Sequence, residues 1–284
     1  MKKMRRKRMV ILSVLLILAM LILPGFYNGL RIQNYSIEVD EITNPIRIAL
    51  VTDLHSCKYG EKEQELMEAI DSQNPDLVML VGDIFDDVIP DTNTEYLLQG
   101  IADLYPCYYV TGNHEYWSGS GFSEKMDILA KYSIIRLSGK METIAINGET
   151  INICGVDDPD VYMSASADKY KDTVSFIDQL IHVRELSQNG HYTILLSHRP
   201  ESFELYAYHQ FDLVLCGHAH GGQWRIPGIV NGLYAPNQGF FPKYAGGKYQ
   251  AEDTTMIVSR GLARESTRIP RFYNRPELVI VDLQ

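Results

Sequence analysis

Five short fragments that combine metal-binding residue types occur along the chain: Asp53-Leu54-His55, Gly82-Asp83-Ile84-Phe85-Asp86, Gly112-Asn113-His114-Glu115, Ser197-His198-Arg199 and Gly217-His218-Ala219-His220. Carboxylates from Asp53 and Asp83, an amide oxygen from Asn113 and imidazoles from His55, His198, His218 and His220 make a mixed oxygen and nitrogen donor set. Such a set suits Mn²⁺, Fe or Zn²⁺ better than the all-oxygen cages of Ca²⁺ or Mg²⁺. No cysteine is among the donors, which argues against a structural zinc site.

The residues before each fragment decide its weight. Ile48–Val51, Leu77–Val81, Cys107–Val110, Thr193–Leu196 and Leu213–Cys216 are continuous apolar runs of the length of strands covered on both faces, and each ends where a fragment begins. In open α/β sheets, sites form beyond the carboxyl ends of strands, so loops distant in sequence converge there. A single Asp-x-His or Gly-His-x-His would be read as a capping carboxylate or a satisfied core histidine. Five fragments, all at strand ends, read instead as a two-metal site suited to phosphoester hydrolysis.

In these fragments the chain resembles the calcineurin-like metallophosphoesterases, whose pattern is D-x-H, G-D-x-x-D, G-N-H-[DE], a lone His after a strand, and G-H-x-H. Further likeness to the membrane-associated bacterial YkuE/YaeI-type phosphodiesterases lies in Gly155-Val156-Asp157-Asp158-Pro159, Gly217 to Gln223, Tyr234 to Tyr244, Ser259-Arg260-Gly261 and Asn274-Arg275-Pro276-Glu277. The resemblance covers residues 45–284. It implies an α/β fold, a four-layer α/β/β/α sandwich with a dinuclear site at strand carboxyl ends. It further implies two divalent ions, one held by Asp53, His55, Asp83 and His220 and the other by Asp83, Asn113, His198 and His218, with Asp83 bridging.

The implied reaction is hydrolysis of a phosphodiester or phosphomonoester by metal-bound hydroxide. His114 would be the general acid, and Asp86 the carboxylate that orients it. Arg199, Arg260 and Arg264 could each contact a phosphate. Asp157 and Asp158, before Pro159, read as a turn and are left out of the ligands. Two alternatives stand beside this expectation. One is a pyrophosphatase for a lipid-linked nucleotide such as UDP-2,3-diacylglucosamine, and the other a catalytically silent membrane scaffold.

The chain has 284 residues and a net charge of −10, with 45% hydrophobic content, enough for one large domain. Lys2, Lys3, Arg5, Arg6, Lys7 and Arg8 precede every acidic residue; without these six of the 26 bases, 20 remain against 36 acids, a net −16. So acidic a body lacks the basic footprint of a nucleic-acid binder. The four cysteines, Cys57, Cys107, Cys154 and Cys216, show no pairing pattern and are expected to be free.

The basic cluster and the apolar run Met9–Leu23 read as a signal anchor over residues 1–27. Residues 28–44 would be a tether or short edge strand, and residues 45–284 the catalytic domain. The cluster should stay cytoplasmic, which makes this a single-pass cell-membrane protein with an extracytoplasmic body and a phosphoester substrate that could be lipid-like.

Helices are expected over residues 63–72, with Leu66, Met67 and Ile70 inward, and over 95–104, 123–132 and 172–187, the last with Val174, Ile177 and Ile181 inward. A hairpin should turn at Asn147-Gly148. Strands near 255–259 and 277–283 should complete the second sheet. Residues 221–247, rich in glycine and aromatics, could wall an apolar pocket, touch the membrane or cover a sheet edge.

Overall fold

The computed structural model describes residues 2–162, 175–264 and 269–284. The first half runs α1 (Lys2–Ile22), β1 (Arg31–Ile37), β2 (Ile46–Val51), α2 (Gln64–Asp71), β3 (Leu77–Val81), α3 (Thr92–Ile101), β4 (Cys107–Val110), α4 (Asn113–Trp117), α5 (Phe122–Lys131) and β5 (Ile135–Arg136). Next come β6 (Lys140–Ile146), β7 (Glu149–Gly155), α6 (Phe176–Leu186), β8 (Tyr192–Leu196), α7 (Phe203–Tyr208) and β9 (Leu213–Cys216). The chain ends with β10 (Tyr234–Ala235), β11 (Gly239–Phe240), β12 (Gly247–Ala251), β13 (Thr254–Val258) and β14 (Glu277–Leu283).

An apolar run with no polar face is stable as a strand only when both faces are covered, and these runs are covered by stacking two sheets. One six-stranded sheet has the order β1-β14-β2-β3-β4-β5, the other β12-β13-β9-β8-β7-β6. Side chains alternate along each strand. Ile48, Leu50, Met79, Val81, Leu213 and Leu215 point into the core between the sheets. Ala49, Val51, Val78 and Leu80 face outward, onto Leu66 and Ile70 of α2, Leu97, Leu98 and Ile101 of α3, and Leu129 of α5. On the second sheet Val214 and Cys216 meet Leu180 and Val183 of α6 and Phe203 and Tyr206 of α7. The result is the expected α/β/β/α sandwich, each buried aliphatic side chain contributing about 1.5–3 kcal/mol.

Two expectations need correction. β14 does not join the second sheet: it lies between β1 and β2 of the first, parallel to β1 and antiparallel to β2. Of the two readings of residues 28–44, the edge strand is the one present: β1 pairs with β14 from Arg31↔Glu277 to Ile37↔Leu283. On α6 the inward stripe is Phe176, Leu180 and Val183, while Ile177 and Ile181 are exposed. Val174, the other residue expected there, lies outside the described residues. The hairpin turn is as expected: Asn147 and Gly148 both take positive φ, 52° and 86°, between β6 and β7. All four cysteines are buried, and none is in a disulfide.

Among the described residues one helical stretch, Met4–Phe26, is long and apolar enough to cross a membrane. Its 23 residues reach ~35 Å at 1.5 Å each, beyond a hydrocarbon core of ~30 Å.

Candidate metal centre

The loops that follow β2, β3, β4, β8 and β9 bring the five fragments together. They do so through unusual backbone: Asp53, His55, Asp83, His218 and His220 have φ of 49°, 50°, 51°, 65° and 45°. Left-handed conformations of non-glycine residues store of order 1–3 kcal/mol each and persist only where surroundings enforce them. Gly82 (φ 75°) is required beside them, because a Cβ there would strike the His198 ring.

Asp83 sits at the centre. Its Oδ1 accepts the His114 N–H at 2.9 Å, while Oδ2 lies 3.1 Å from His198 Nε2 and 3.6 Å from His55 Nε2. Asp53 accepts the His218 N–H at 2.9 Å and lies 3.5 Å from His220 Nε2. Donor atoms of Asp53, His55, Asp83 and His220 fall within 4.8 Å of one another, as do those of Asp83, His198 and His218. Asp83 belongs to both groups, and Asn113 starts the short helix α4 beside them.

Whether these residues suit metal ions is tested by atoms left open. His55 Nε2, Asp83 Oδ2, Asn113 Oδ1 and His198 Nε2 are buried without a hydrogen-bond partner. Buried polar atoms are nearly always paired, so these open atoms call for a ligand outside the chain. Tautomers are set to match. His198 Nδ1 donates to the Val81 carbonyl at 2.9 Å and His55 Nδ1 to Asp86 at 3.0 Å, which turns both Nε2 lone pairs toward the centre. His218 is reversed: its Nε2 donates to Asn237 Oδ1 at 2.8 Å and leaves Nδ1 free. The donor set therefore suits divalent metal, with Asp53, His55, Asp83 and His220 gathered in one group and Asp83, His198 and His218 in a second.

The electrostatics fit as well. Burial opposes ionisation of Asp83, but His198, His114 and His55 hold its carboxyl well below the usual carboxylate range. Burial disfavours charge on His198, yet Asp83 and Asp53 push its imidazole up to about 10. Burial drives His218 and His220 well down, toward the neutral form that ligates metals.

The carboxylate expected to orient His114 is the wrong one of a pair. Asp86 Oδ2 is 3.0 Å from His55 Nδ1 but 3.7 Å from His114 Nδ1, whereas Asp87 Oδ1 is 2.6 Å from His114 Nδ1. Asp86 also accepts the Val88 and Ile89 N–H groups at Oδ1, which turns Oδ2 toward His55. His114 remains partly exposed at the rim, its ring 4.6 Å from that of Trp117.

Arg199 and Arg264 have their guanidinium groups committed within the protein, while the Arg260 side chain has only an ion-pair contact at Nε. Arg199 is buried and bidentate to Asp158 at 2.5 and 2.7 Å; Arg260 lies 3.5 Å from Glu277; Arg264 stacks 3.8 Å over Tyr59. Asp158 is thus a buried anchor for Arg199, and Asp157 binds Arg136 and Ser138. Sequence reasoning missed Asn237, which fixes the His218 tautomer, and Glu115. Glu115 follows His114 within a fragment already singled out, and its buried carboxylate accepts four backbone N–H groups from the loops bearing Asp83 and Asn113.

Open donor atoms converging at the carboxyl edge of a two-sheet sandwich define the class, a metal-dependent hydrolase. Its family follows from the sequence: residues 46–222 match the calcineurin-like phosphoesterases, and the chain belongs to that family. An uncharacterized metallophosphoesterase of Helicobacter pylori is 32% identical over 70% of this chain, which spans about half, 52%, of that relative. Phosphodiesterase YaeI of Escherichia coli is 26% identical, with 84% of this chain and 82% of YaeI covered. The solved NAD nucleotidase NadN of Haemophilus influenzae shares the fold, with a TM-score of 0.54 at 16% identity over 78% of this chain and 46% of NadN.

Proposed function

We propose that the chain hydrolyses a phosphodiester or phosphomonoester of the cell envelope, with an apolar moiety on the substrate, at a dinuclear centre. One ion would be held by Asp53, His55, Asp83 and His220, the other by Asp83, Asn113, His198 and His218. The observation that carries this reading is Asp83 Oδ2: buried, without a hydrogen-bond partner, and facing both His55 Nε2 and His198 Nε2. Mn²⁺, Fe or Zn²⁺ bound there would neutralise phosphoryl charge and acidify a water.

The chain's own groups supply the remainder. His114 stands at the rim beside the shared carboxylate, held through Nδ1 by Asp87, so its Nε2 is the atom free to protonate a leaving oxygen. Asp86 and Asn237 fix the tautomers of His55 and His218, and Glu115 holds the loop that carries Asp83. The helix Met4–Phe26 contains the proposed membrane span, and the basic residues from Lys2 to Arg8 at its start favour a body outside the cytoplasm.

Metal analysis of the purified full chain, joined to a hydrolysis panel, tests the proposal. The panel should hold p-nitrophenyl phosphate, bis-p-nitrophenyl phosphate, lipid phosphodiesters and nucleotide-lipid pyrophosphates. Turnover of esters that requires the metals is expected. Turnover of the pyrophosphates alone would replace the ester reading, and a metal-loaded chain inactive on all would mark it as a scaffold.

A further inference from the structure

Beside His220 lies a cavity of about 590 Å³ whose walls include Ala219, Trp224, Leu233, Tyr234 and Phe240. Its volume is that of a small-molecule site, and its wall is almost wholly apolar. The segments that supply this wall are unusual for a protein facing water: Phe240, in the wall, is 72% exposed and its neighbour Phe241 68%, and Ile226 and Ile229, shortly after Trp224 in the chain, are 50% and 81% exposed.

The end of the helical stretch Met4–Phe26 is built onto this same wall. Tyr273 N–H donates to the Gly25 carbonyl at 2.6 Å, and the Phe26 ring lies 5.1 Å from Phe272. Gly25 has no alternative, since a Cβ there would strike the Phe272 ring. Phe272 lies 5.7 Å from Trp224, and its backbone exchanges hydrogen bonds with Gln223 and Arg225. Two ring contacts therefore connect the last residue of the apolar helix to the cavity wall. Beyond the helix, Arg275 stacks 4.8 Å over Tyr27 and donates to the Gly29 and Leu30 carbonyls, which fixes the connection to β1.

A helix that crosses a bilayer and is fastened this closely brings the cavity rim to the headgroup level, where aromatic side chains partition favourably. We propose that the body makes a second contact with the bilayer through Trp224, Ile226, Ile229, Phe240 and Phe241, and that the cavity opens there and takes an acyl chain from the outer leaflet. The occupant is membrane lipid because the cavity wall is joined at Trp224, through Phe272 and Phe26, to the end of the apolar helix itself. This rests on the reading of residues 4–26 as a membrane span and deepens the envelope substrate to one that is drawn sideways from lipid.

The test uses the full chain in phosphatidylcholine and phosphatidylglycerol vesicles. The native thiols are buried, so Ile229→Cys and Phe240→Cys can carry a bimane label, with Leu104→Cys, in the loop at the opposite edge of the first sheet, as reference. Labels at 229 and 240 should be quenched by spin-labelled acyl chains and shielded from iodide, and the label at 104 the reverse. Should those variants fail to insert, Trp117→Phe leaves Trp224 as the sole tryptophan, at its native position, and brominated lipid should quench it. Labels at 229 and 240 that behave like the one at 104, or an unquenched Trp224, overturn the proposal. Alkaline carbonate tests the span independently. A chain that washes off overturns span and proposal together, whereas a retained chain with water-exposed labels overturns the second contact alone.

Discussion

Replacing Glu115 with glutamine should do more damage than the removal of one buried charge suggests. The carboxylate is fully buried; Oε2 accepts the N–H groups of Asp83 (3.0 Å) and Gly112 (2.7 Å), and Oε1 those of Ile84 (2.9 Å) and Phe85 (3.1 Å). Burial and the Asp83 charge push its carboxyl up, while the N–H groups of Phe85 and Gly112 oppose them. Four donors converging on two oxygens decide for the ionised form, because a protonated oxygen would face an N–H. Glutamine keeps one oxygen and turns the other position into a donor, so in either orientation two backbone N–H groups lose their acceptor. At ~1–3 kcal/mol each the loss is ~2–6 kcal/mol, against a total stability of ~5–15 kcal/mol. For a chain of this size that lowers the melting temperature by on the order of 10 °C.

The same two loops carry Asp83 and Asn113, so the metals should be lost before the fold is. Thermal melts with and without added Mn²⁺, together with metal content, provide the assay. Glu115→Gln is expected to melt early and to bind metal weakly even where it is folded. Melting within ~2 °C of wild type with full metal content would refute the clamp, since that margin corresponds to less than one lost hydrogen bond.

Other outcomes follow from the site. His114→Ala should keep both metals and lose roughly 10²–10⁴-fold in turnover, less on esters with activated leaving groups; equal losses on nitrophenyl and alkyl esters would contradict the acid role. Metal uptake should release protons and tighten as pH rises, because His198, held up to about 10 in the metal-free chain, must ligate as neutral imidazole; calorimetry in buffers of different ionisation enthalpy measures this. The sign for the metal-free fold is opposite: the His198 contribution is complete below the unfolded value of ~6.5 and is lost as pH rises toward about 10. External protease on intact cells or protoplasts should digest the body, and full protection would place it in the cytoplasm.

The strands that position the site were legible because their runs lack a polar face: β3, β4 and β9 fall where Leu77–Val81, Cys107–Val110 and Leu213–Cys216 were expected. Period and length do not say which sheet a strand joins, so β14 was assigned to the wrong one. On α6 two stripes fit a helical repeat equally, and the one that packs on the second sheet is set by tertiary contact. Within the site, the residues that cluster were legible by type and spacing. Their supports were not: Asp86 and Asp87 are adjacent, so spacing cannot tell which faces His114, and Asn237 lies in a turn remote from His218 in sequence.

The central claim is that one carboxylate belongs to two metal sites, and metal stoichiometry across Asp83 variants tests it most directly. Wild-type chain should hold two transition-metal ions and hydrolyse bis-p-nitrophenyl phosphate only when they are bound. Asp83→Asn and Asp83→Ala should each lower occupancy of both sites together, because the carboxylate belongs to both groups of converging donors. Two full-occupancy ions in either variant, or loss of one site with the other intact, would contradict the shared carboxylate.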